Sequence, residues 1–357
     1  MKKILISTGG SGGHVVPATI LYEHLSSSFD VQIVSDFRGS KFIDKKFYKY
    51  SVIDSPKISK NIFFAPLFLI LFTISLIKSF KFLKKNNIHH LISTGGYMSL
   101  PFCIAAKLLN LSIFLFEPNM VIGRSNNMML RFSKKIFCYH ENIINFPHKF
   151  KNKIIVIERL FKKKIFTSNN IKNTRSSFFK ILIVGGSQGA SFFDNSIKQA
   201  ICEFSIKQNT FVLQQISTEE KKEEIKKAYD LLKINYELFS FDDNLYKKMQ
   251  DVDLAITRCG ASTLSDLVYY NIPFIGIPFP HAKDNHQYYN AKYFSDLNCC
   301  WLLDQNKINT NNILELLLKI INDKDAYLNK KKNIEKISSN YDWKKINQKI
   351  INTINEY

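Results

Sequence analysis

The sequence predicts an α/β fold built from two Rossmann-like domains, each a doubly wound parallel sheet. Three observations lead there. Short β-branched runs alternate with amphipathic stretches from the first residues onward, the pattern of a parallel sheet wound by helices. The segment ILIST-GGSGGH at 4–14 is echoed by ILIV-GGSQGA at 181–190, so each half opens with a strand that runs into a glycine turn and then a helix. The length, 357 residues, exceeds one typical core and suits two domains of roughly 150 to 180 residues.

The first series of strands is predicted at 4–8, 31–35, 91–94, 113–117, 135–139 and 154–158. A polar, lysine-rich stretch at 162–177 reads as the linker. The second series follows at 180–184, 210–215, 236–241, 253–257, 273–278 and 300–303. Doubly wound sheets bind ligands at the carboxyl ends of their strands, so the glycine turns and a cleft between the lobes form the expected active site.

The apolar stretch at 62–77 carries no charge and includes Pro66. It is shorter than the ~20 residues of a membrane span and reads as a buried core helix. Lysines at 78, 81, 84 and 85 follow it, as in helices that lie on anionic lipid.

A composition of 45% hydrophobic and 22% charged residues is that of a globular protein that folds without cross-links. The six cysteines are scattered, no CxxC pair occurs and no leader precedes the first strand, which points to a reducing cytoplasm. The formal charge of +20 comes from lysines spread along the whole chain, with no aromatic and basic platform for RNA.

In Gly185-Gly186-Ser187-Gln188-Gly189-Ala190, glycines let backbone N–H groups approach an anion, the helix start adds partial positive charge and Ser187 adds a hydroxyl. A diphosphate is the natural guest; the Walker lysine is missing, which argues against ATP hydrolysis. The first turn, Gly9-Gly10-Ser11-Gly12-Gly13-His14, lacks the last glycine of a dinucleotide fingerprint, although Asp36 stands where a ribose-binding acid would. His14 opens the helix and is a candidate base or diphosphate contact. A third turn runs through Gly95, Gly96 and Tyr97, and Glu117 at a strand end is either a general base or a cap. In the second half, the small residues of TRCGASTLSD allow a ligand near the backbone, while hydroxyls and Asp266 suit phosphate and ribose. His281, Asp284 and His286 match no standard metal-ligand spacing, and Asp251-Val252-Asp253 precedes its strand, so no metal site is expected.

Taken together, GGSGGHVVPA, STGGYMSLP, EPN with Gly123 and Asn126, GGSQGA, TRCGASTLSD and DNHQYYNA resemble, in order and spacing, the MurG family within glycosyltransferase family 28. These are the peptidoglycan enzymes that move N-acetylglucosamine from its uridine diphosphate carrier to lipid I, making lipid II. The likeness runs from residue 3 to about 300. It implies a GT-B architecture: an acceptor and membrane-associating domain over 1–160, a donor domain over 161–340, and a closing helix over 341–357 that packs back on the first domain. It also implies inversion by direct attack of the acceptor's 4-hydroxyl, with His14 or Glu117 as the base.

Family positions that bind donor or substrate fall on Ser11, Gly12, Gly13, Asn119, Ser187, Phe241 through its backbone, Ala261, Ser262, Thr263, Leu264, Ser265, Asp266 and Gln287. Gly95, Gly96, Tyr97 and Asn126 fall on the acceptor side. The chain departs from the family at Glu158-Arg159-Leu160-Phe161-Lys162, where Lys162 is assigned the donor-binding basic role. It departs again at Asp266, which replaces a glutamate, and at Phe116, which replaces a histidine. The resemblance implies no metal or other cofactor, UDP-N-acetylglucosamine as co-substrate, and lipid I, anionic phospholipid and other cell-wall enzymes as partners, with no nucleic acid. It places the protein peripherally on the cytoplasmic face of the inner membrane.

Overall fold

A computed structural model describes residues 1–56, 65–167, 177–186, 191–240, 245–339 and 341–357. Ser187 and Phe241, both assigned above to the donor, lie outside the described residues. The chain divides into two compact units, Met1–Thr167 with Asp342–Tyr357, and Ser168–Tyr341.

The first unit holds β1 (Lys3–Ser7), β2 (Asp30–Ser35), β3 (Tyr50–Val52), β4 (His90–Ser93), β5 (Ser112–Glu117), β6 (Lys135–Cys138) and β7 (Ile154–Val156). They form one parallel sheet in the order β3-β2-β1-β4-β5-β6-β7. The second unit holds β8 (Phe179–Val184), β9 (Thr210–Gln215), β10 (Asn235–Phe239), β11 (Leu254–Thr257), β12 (Phe274–Gly276) and β13 (Cys300–Leu302). Its parallel order is β10-β9-β8-β11-β12-β13. Each chain path starts mid-sheet, runs outward one way, then crosses back to run the other way. The reversals fall between β1 and β4 and between β8 and β11, the positions where open α/β sheets bind ligands.

Strand periodicity sorts the side chains onto two faces. In β1, Ile4 and Ile6 enter one core while Leu5 enters the other; in β8, Ile181 and Ile183 part from Leu182 and Val184 in the same way. Strands buried on both faces read as continuous apolar runs, which is why they were legible. The exception, β3, is a three-residue edge strand, Tyr50-Ser51-Val52, too short and mixed to signal itself.

The closing helix Trp343–Asn355 lays Ile346, Ile350 and Ile354 into the first unit's core. The first unit also extends past the expected boundary at 160: Leu160, Phe161 and Ile165 are buried, and the Phe161 carbonyl faces His24 Nε2 at 3.1 Å. Lys162 therefore belongs to the first unit and not to the donor domain assigned from the sequence.

The helix Ala65–Lys85 corrects the expectation of a buried core helix. Phe72, Leu76, Phe80 and Leu83 pack against the first unit's core, but Leu67, Leu69, Ile70, Leu71, Ile74 and Ile77 are exposed, Leu69 by 62%. The stretch Pro66–Lys85 is long and apolar enough to cross a membrane by length and composition. With Ser79 and Leu83 fully buried against the domain, however, its second half is committed to the core.

Candidate active site

In the first unit, β1 delivers the chain into Gly9 and Gly10, the latter at φ +87°. Asp36, at the end of β2, accepts the Gly10 and Gly39 N–H groups on one oxygen, each at 2.8 Å, and its other oxygen holds Arg38 at 2.9 Å. Asp36 thus locks the turn, a role that replaces the ribose contact weighed from the sequence. A second turn, after β4, has Gly95 at φ +93° and Gly96 at φ +83°. A Cβ on Gly96 would stand 3.0 Å from the Gly9 carbonyl oxygen, so the two turns interlock only as glycine.

His14 sits where the turns meet. Its Nδ1 lies 3.0 Å from the Thr94 carbonyl oxygen, and Thr94 Oγ1 donates to the His14 carbonyl at 3.1 Å. A carbonyl only accepts, so Nδ1 carries the proton and the lone pair of the neutral ring is on Nε2. The ring is half-buried, in the first turn of the helix Gly12–Leu25. Ser11 caps that helix with extended backbone and no side-chain capping bond, so the first N–H groups, at Gly12 and Gly13, are not taken by a capping side chain.

Glu117 has a different task from the base assigned as one alternative. It is buried, with one oxygen accepting the Asn119 backbone and side-chain N–H groups (3.3 and 3.0 Å) and the other the Gly123 N–H (2.8 Å) and Asn126 Nδ2 (3.0 Å). Its lone pairs are committed to shaping the 117–126 loop. Asn126 also donates to the Phe116 carbonyl at 3.0 Å and keeps a buried Oδ1 with no partner among the described residues. Ser125 Oγ bonds the Gly96 carbonyl at 2.9 Å, which ties that loop to the second turn. Tyr97 is half-buried against the core.

In the second unit, Gly186 at φ +65° is held by its N–H to Gln215 Oε1 at 2.9 Å. From β11, Arg258 N–H donates to the Val184 carbonyl at 3.1 Å, which joins the two strand ends. Gly260 caps the helix Ala261–Tyr269 with extended backbone and no side-chain capping bond, so its first N–H groups are available to an anion. Ser262, Thr263 and Asp266 are half-buried at this end, and Ala261 is buried. The side chains of Leu264 and Ser265 are turned inward, so any donor contact they make is through the backbone. The helical period sends Leu264 into the core, and Ser265 Oγ bonds the Ala261 carbonyl at 2.8 Å.

Gln287 Oε1 accepts from the Cys259 N–H (3.2 Å) and the Phe279 N–H (2.9 Å), so its amide NH₂ is the part it can give to a hydroxyl. Asn290, one helical turn on, donates to the Cys259 carbonyl at 3.1 Å. Both brace the peptide that leads into the Gly260 turn. Gln215, Asn290 and Arg258 were not assigned from the sequence, because nothing in a sequence separates a buried polar anchor from a solvated one. Among the described residues, no three His, Cys, Asp or Glu side chains gather to hold a metal ion.

Two parallel sheets, each with glycine turns at its switch point, are the two Rossmann-like domains of a GT-B architecture. The family models agree: the glycosyltransferase family 28 N-terminal domain matches residues 4–138 and its C-terminal domain matches 180–346. A relative from Pelagibacter ubique is 48% identical over 99% of both chains, and one from Rickettsia felis is 36% identical over 90% of this chain and 92% of its own. Both are named UDP-N-acetylglucosamine--N-acetylmuramyl-(pentapeptide) pyrophosphoryl-undecaprenol N-acetylglucosamine transferase. Among solved structures, MurG of Acinetobacter baumannii superimposes over 100% of both chains with a TM-score of 0.79 at 20% identity. Anabaena HepE, solved with UDP and glucose, does so over 100% of both chains with a TM-score of 0.63 at 10% identity. The chain belongs to glycosyltransferase family 28.

Proposed function

We propose that this enzyme transfers N-acetylglucosamine from UDP-N-acetylglucosamine to the 4-hydroxyl of the N-acetylmuramoyl unit of undecaprenyl-pyrophosphoryl-MurNAc-pentapeptide, lipid I, and so makes lipid II for peptidoglycan. The observation that carries this is the 48% identity across 99% of both chains with a relative named for that reaction. In the reaction, the acceptor oxygen attacks the anomeric carbon, the bond from that carbon to the diphosphate oxygen breaks, the configuration inverts and UDP leaves. The attacking hydroxyl loses its proton to a base, and the leaving diphosphate needs hydrogen-bond donors and positive charge.

The first unit supplies the acceptor side: the turns at Gly9 and Gly10 and at Gly95, Gly96 and Tyr97, with His14 Nε2 as the base. Ser11, Gly12, Gly13 and Asn119 line it, and Glu117 and Asn126 shape its loop without taking the proton. The second unit supplies the donor side. The helix starting at Ala261 offers N–H groups to the diphosphate, Asp266 suits the ribose and Gln287 gives N–H donors to the sugar. Ser187 and Phe241 keep the donor roles that the family resemblance implies, and Lys162 keeps its own as a residue of the first unit. These donors can neutralise the leaving group with no resident metal, so no cofactor is part of the proposal.

The exposed apolar face of the helix Ala65–Lys85, followed by Lys78, Lys81, Lys84 and Lys85, suits an anionic phospholipid surface, which a lipid-linked acceptor requires. We place the enzyme peripherally on the cytoplasmic face of the inner membrane, beside other enzymes of the same pathway. The test is UDP release from UDP-N-acetylglucosamine by the purified chain, with and without a soluble lipid I analogue. Acceptor-dependent release is expected. Donor binding with no release at any acceptor concentration would overturn the transferase reading.

A further inference from the structure

Arg258 follows β11 at the switch point of the second unit, and it is only 5% exposed. Its Nη1 donates to the carbonyls of Ile277 (3.1 Å) and Pro278 (3.2 Å), and its Nη2 to Gln305 Oε1. The guanidinium lies 5.1, 5.0 and 5.4 Å from the ring centres of Phe192, Phe193 and Phe279. Nε is buried and has no partner among the described residues. The described groups that contact this cation are neutral, and among the described residues it makes no ion pair. Burial pushes its pKa down to about 10.

A buried charge without an opposite charge is a standing cost, since carbonyl dipoles and aromatic faces replace only part of its hydration. A hydrophobic side chain would fill the same box of three phenyl rings more cheaply. What distinguishes the position is where it lies. Arg258 N–H joins the end of β8 through the Val184 carbonyl, just before Gly185 and Gly186, and Arg258 itself stands two residues ahead of Gly260, which starts the helix Ala261–Tyr269. The Arg258 backbone thus joins the end of β8 to the segment that starts the helix Ala261–Tyr269, whose first N–H groups suit an anion, and its side chain packs under the 277–279 segment that Gln287 also holds. In a low-dielectric, water-poor setting the guanidinium's field reaches further than that of a surface lysine.

We infer that Arg258 is a positioning residue for the donor: its buried, unpaired charge supplies the electrostatic hold on the diphosphate, and the ligand's negative charge completes the pair. The guanidinium acts across the turns, since its Nη groups are spent on Ile277, Pro278 and Gln305. A purely structural Arg258, which pins the 277–278 segment to Gln305, would affect every ligand of the pocket alike. This inference rests on the donor reading given above.

The test is calorimetric titration of the full chain with UDP, UMP and uridine, for the wild type, Arg258→Gln, Arg258→Met and Arg258→Lys. The two uncharged variants are expected to lose about tenfold or more in UDP affinity while uridine binding stays within about twofold, and UMP to fall between. Arg258→Lys, which keeps the charge but not the fork, is expected to restore most of the UDP affinity. Arg258→Met fills the aromatic box, so it serves if Arg258→Gln does not fold. Equal losses for UDP and uridine, or an unchanged UDP affinity in either folded uncharged variant, would overturn the inference and leave the donor site standing. A wild type that binds no UDP would overturn the donor reading and this inference with it.

Discussion

At the β1/β4 switch point of the first unit, the glycine turns and the neighbouring loop are held by buried carboxylates: Asp36 takes the N–H groups of Gly10 and Gly39, and Glu117 those of Asn119, Gly123 and Asn126. At the β8/β11 switch point of the second unit, the turn anchors are neutral amides, Gln215 and Gln287; the cation of Arg258 is buried there, and a buried carboxylate, Asp194, holds Ser217 and not a glycine turn. The same turn geometry is therefore held by carboxylates in one unit and by amides in the other. A carboxylate can fill both oxygens with turn N–H groups, whereas an amide oxygen holds the turn and leaves its NH₂ to give to a ligand. The contrast teaches that the repeated strand-turn-helix unit fixes the turn geometry, while the side chains that hold each turn differ in how many donors they leave for a ligand.

The contrast breaks first in acid. His24 is buried between the Asn347 side chain and the Phe161 carbonyl, stacked on Trp343 at 3.7 Å, and burial lowers its pKa to about 4. His90 is lowered to about 4 as well, chiefly by burial. Both lie in the first unit. A base whose folded pKa is depressed binds its proton first in the unfolded chain, so its share of stability is complete above pH 6.5 and is lost as the pH falls towards 4. For His24 this amounts to roughly 3 kcal/mol. Thermal unfolding followed by hydrogen exchange should therefore show the first unit weakening ahead of the second between about pH 6.5 and 4, and Gln at position 24 should flatten that limb.

Glu117→Gln sharpens the same comparison, because it turns one acceptor oxygen into an NH₂ that faces N–H donors. A loss of about 2 kcal/mol in stability is expected, with reduced turnover but the shape of the pH–rate profile retained. Disappearance of a limb of that profile would restore Glu117 as the base. The glycines offer a finer comparison. An alanine at Gly96 meets the Gly9 carbonyl oxygen at 3.0 Å and should cost roughly 2 kcal/mol or more. At Gly186, where a Cβ meets nothing within 4 Å, only the left-handed backbone is penalised, at about 1 kcal/mol. Denaturant titration distinguishes the two. Smallest in stability is Leu69→Ser, expected within about 0.5 kcal/mol because the side chain is exposed, yet it should weaken binding to anionic vesicles. Phe72→Ser, on the core side of the same helix, should destabilise the fold instead.

Much of the architecture was legible because parallel strands buried on both faces are apolar throughout and end in glycines that need positive φ. The glycine turns were legible as turns, and Gly10, Gly95, Gly96 and Gly186 do stand at positive φ. The site was not legible where the answer depends on direction. Asp36 and Glu117 look like ligand-facing acids until their oxygens are seen to be filled by backbone N–H groups, and Leu264 and Ser265 share a motif with Ser262 and Thr263 but point inward. Arg258 could not be singled out, since nothing in TRCGAST reveals that the arginine is buried among phenyl rings. The helix at 65–85 misled for a similar reason: a composition that suits a core also suits a surface left for lipid.

The most direct test of the central claim, that the first unit moves the proton and the second holds the donor, is to measure turnover and UDP affinity together for His14→Ala. The account predicts a fall in kcat of about 10² to 10⁴ with a UDP affinity within about twofold of the wild type. Turnover that survives the substitution, or a UDP affinity that falls in step with it, would contradict that division.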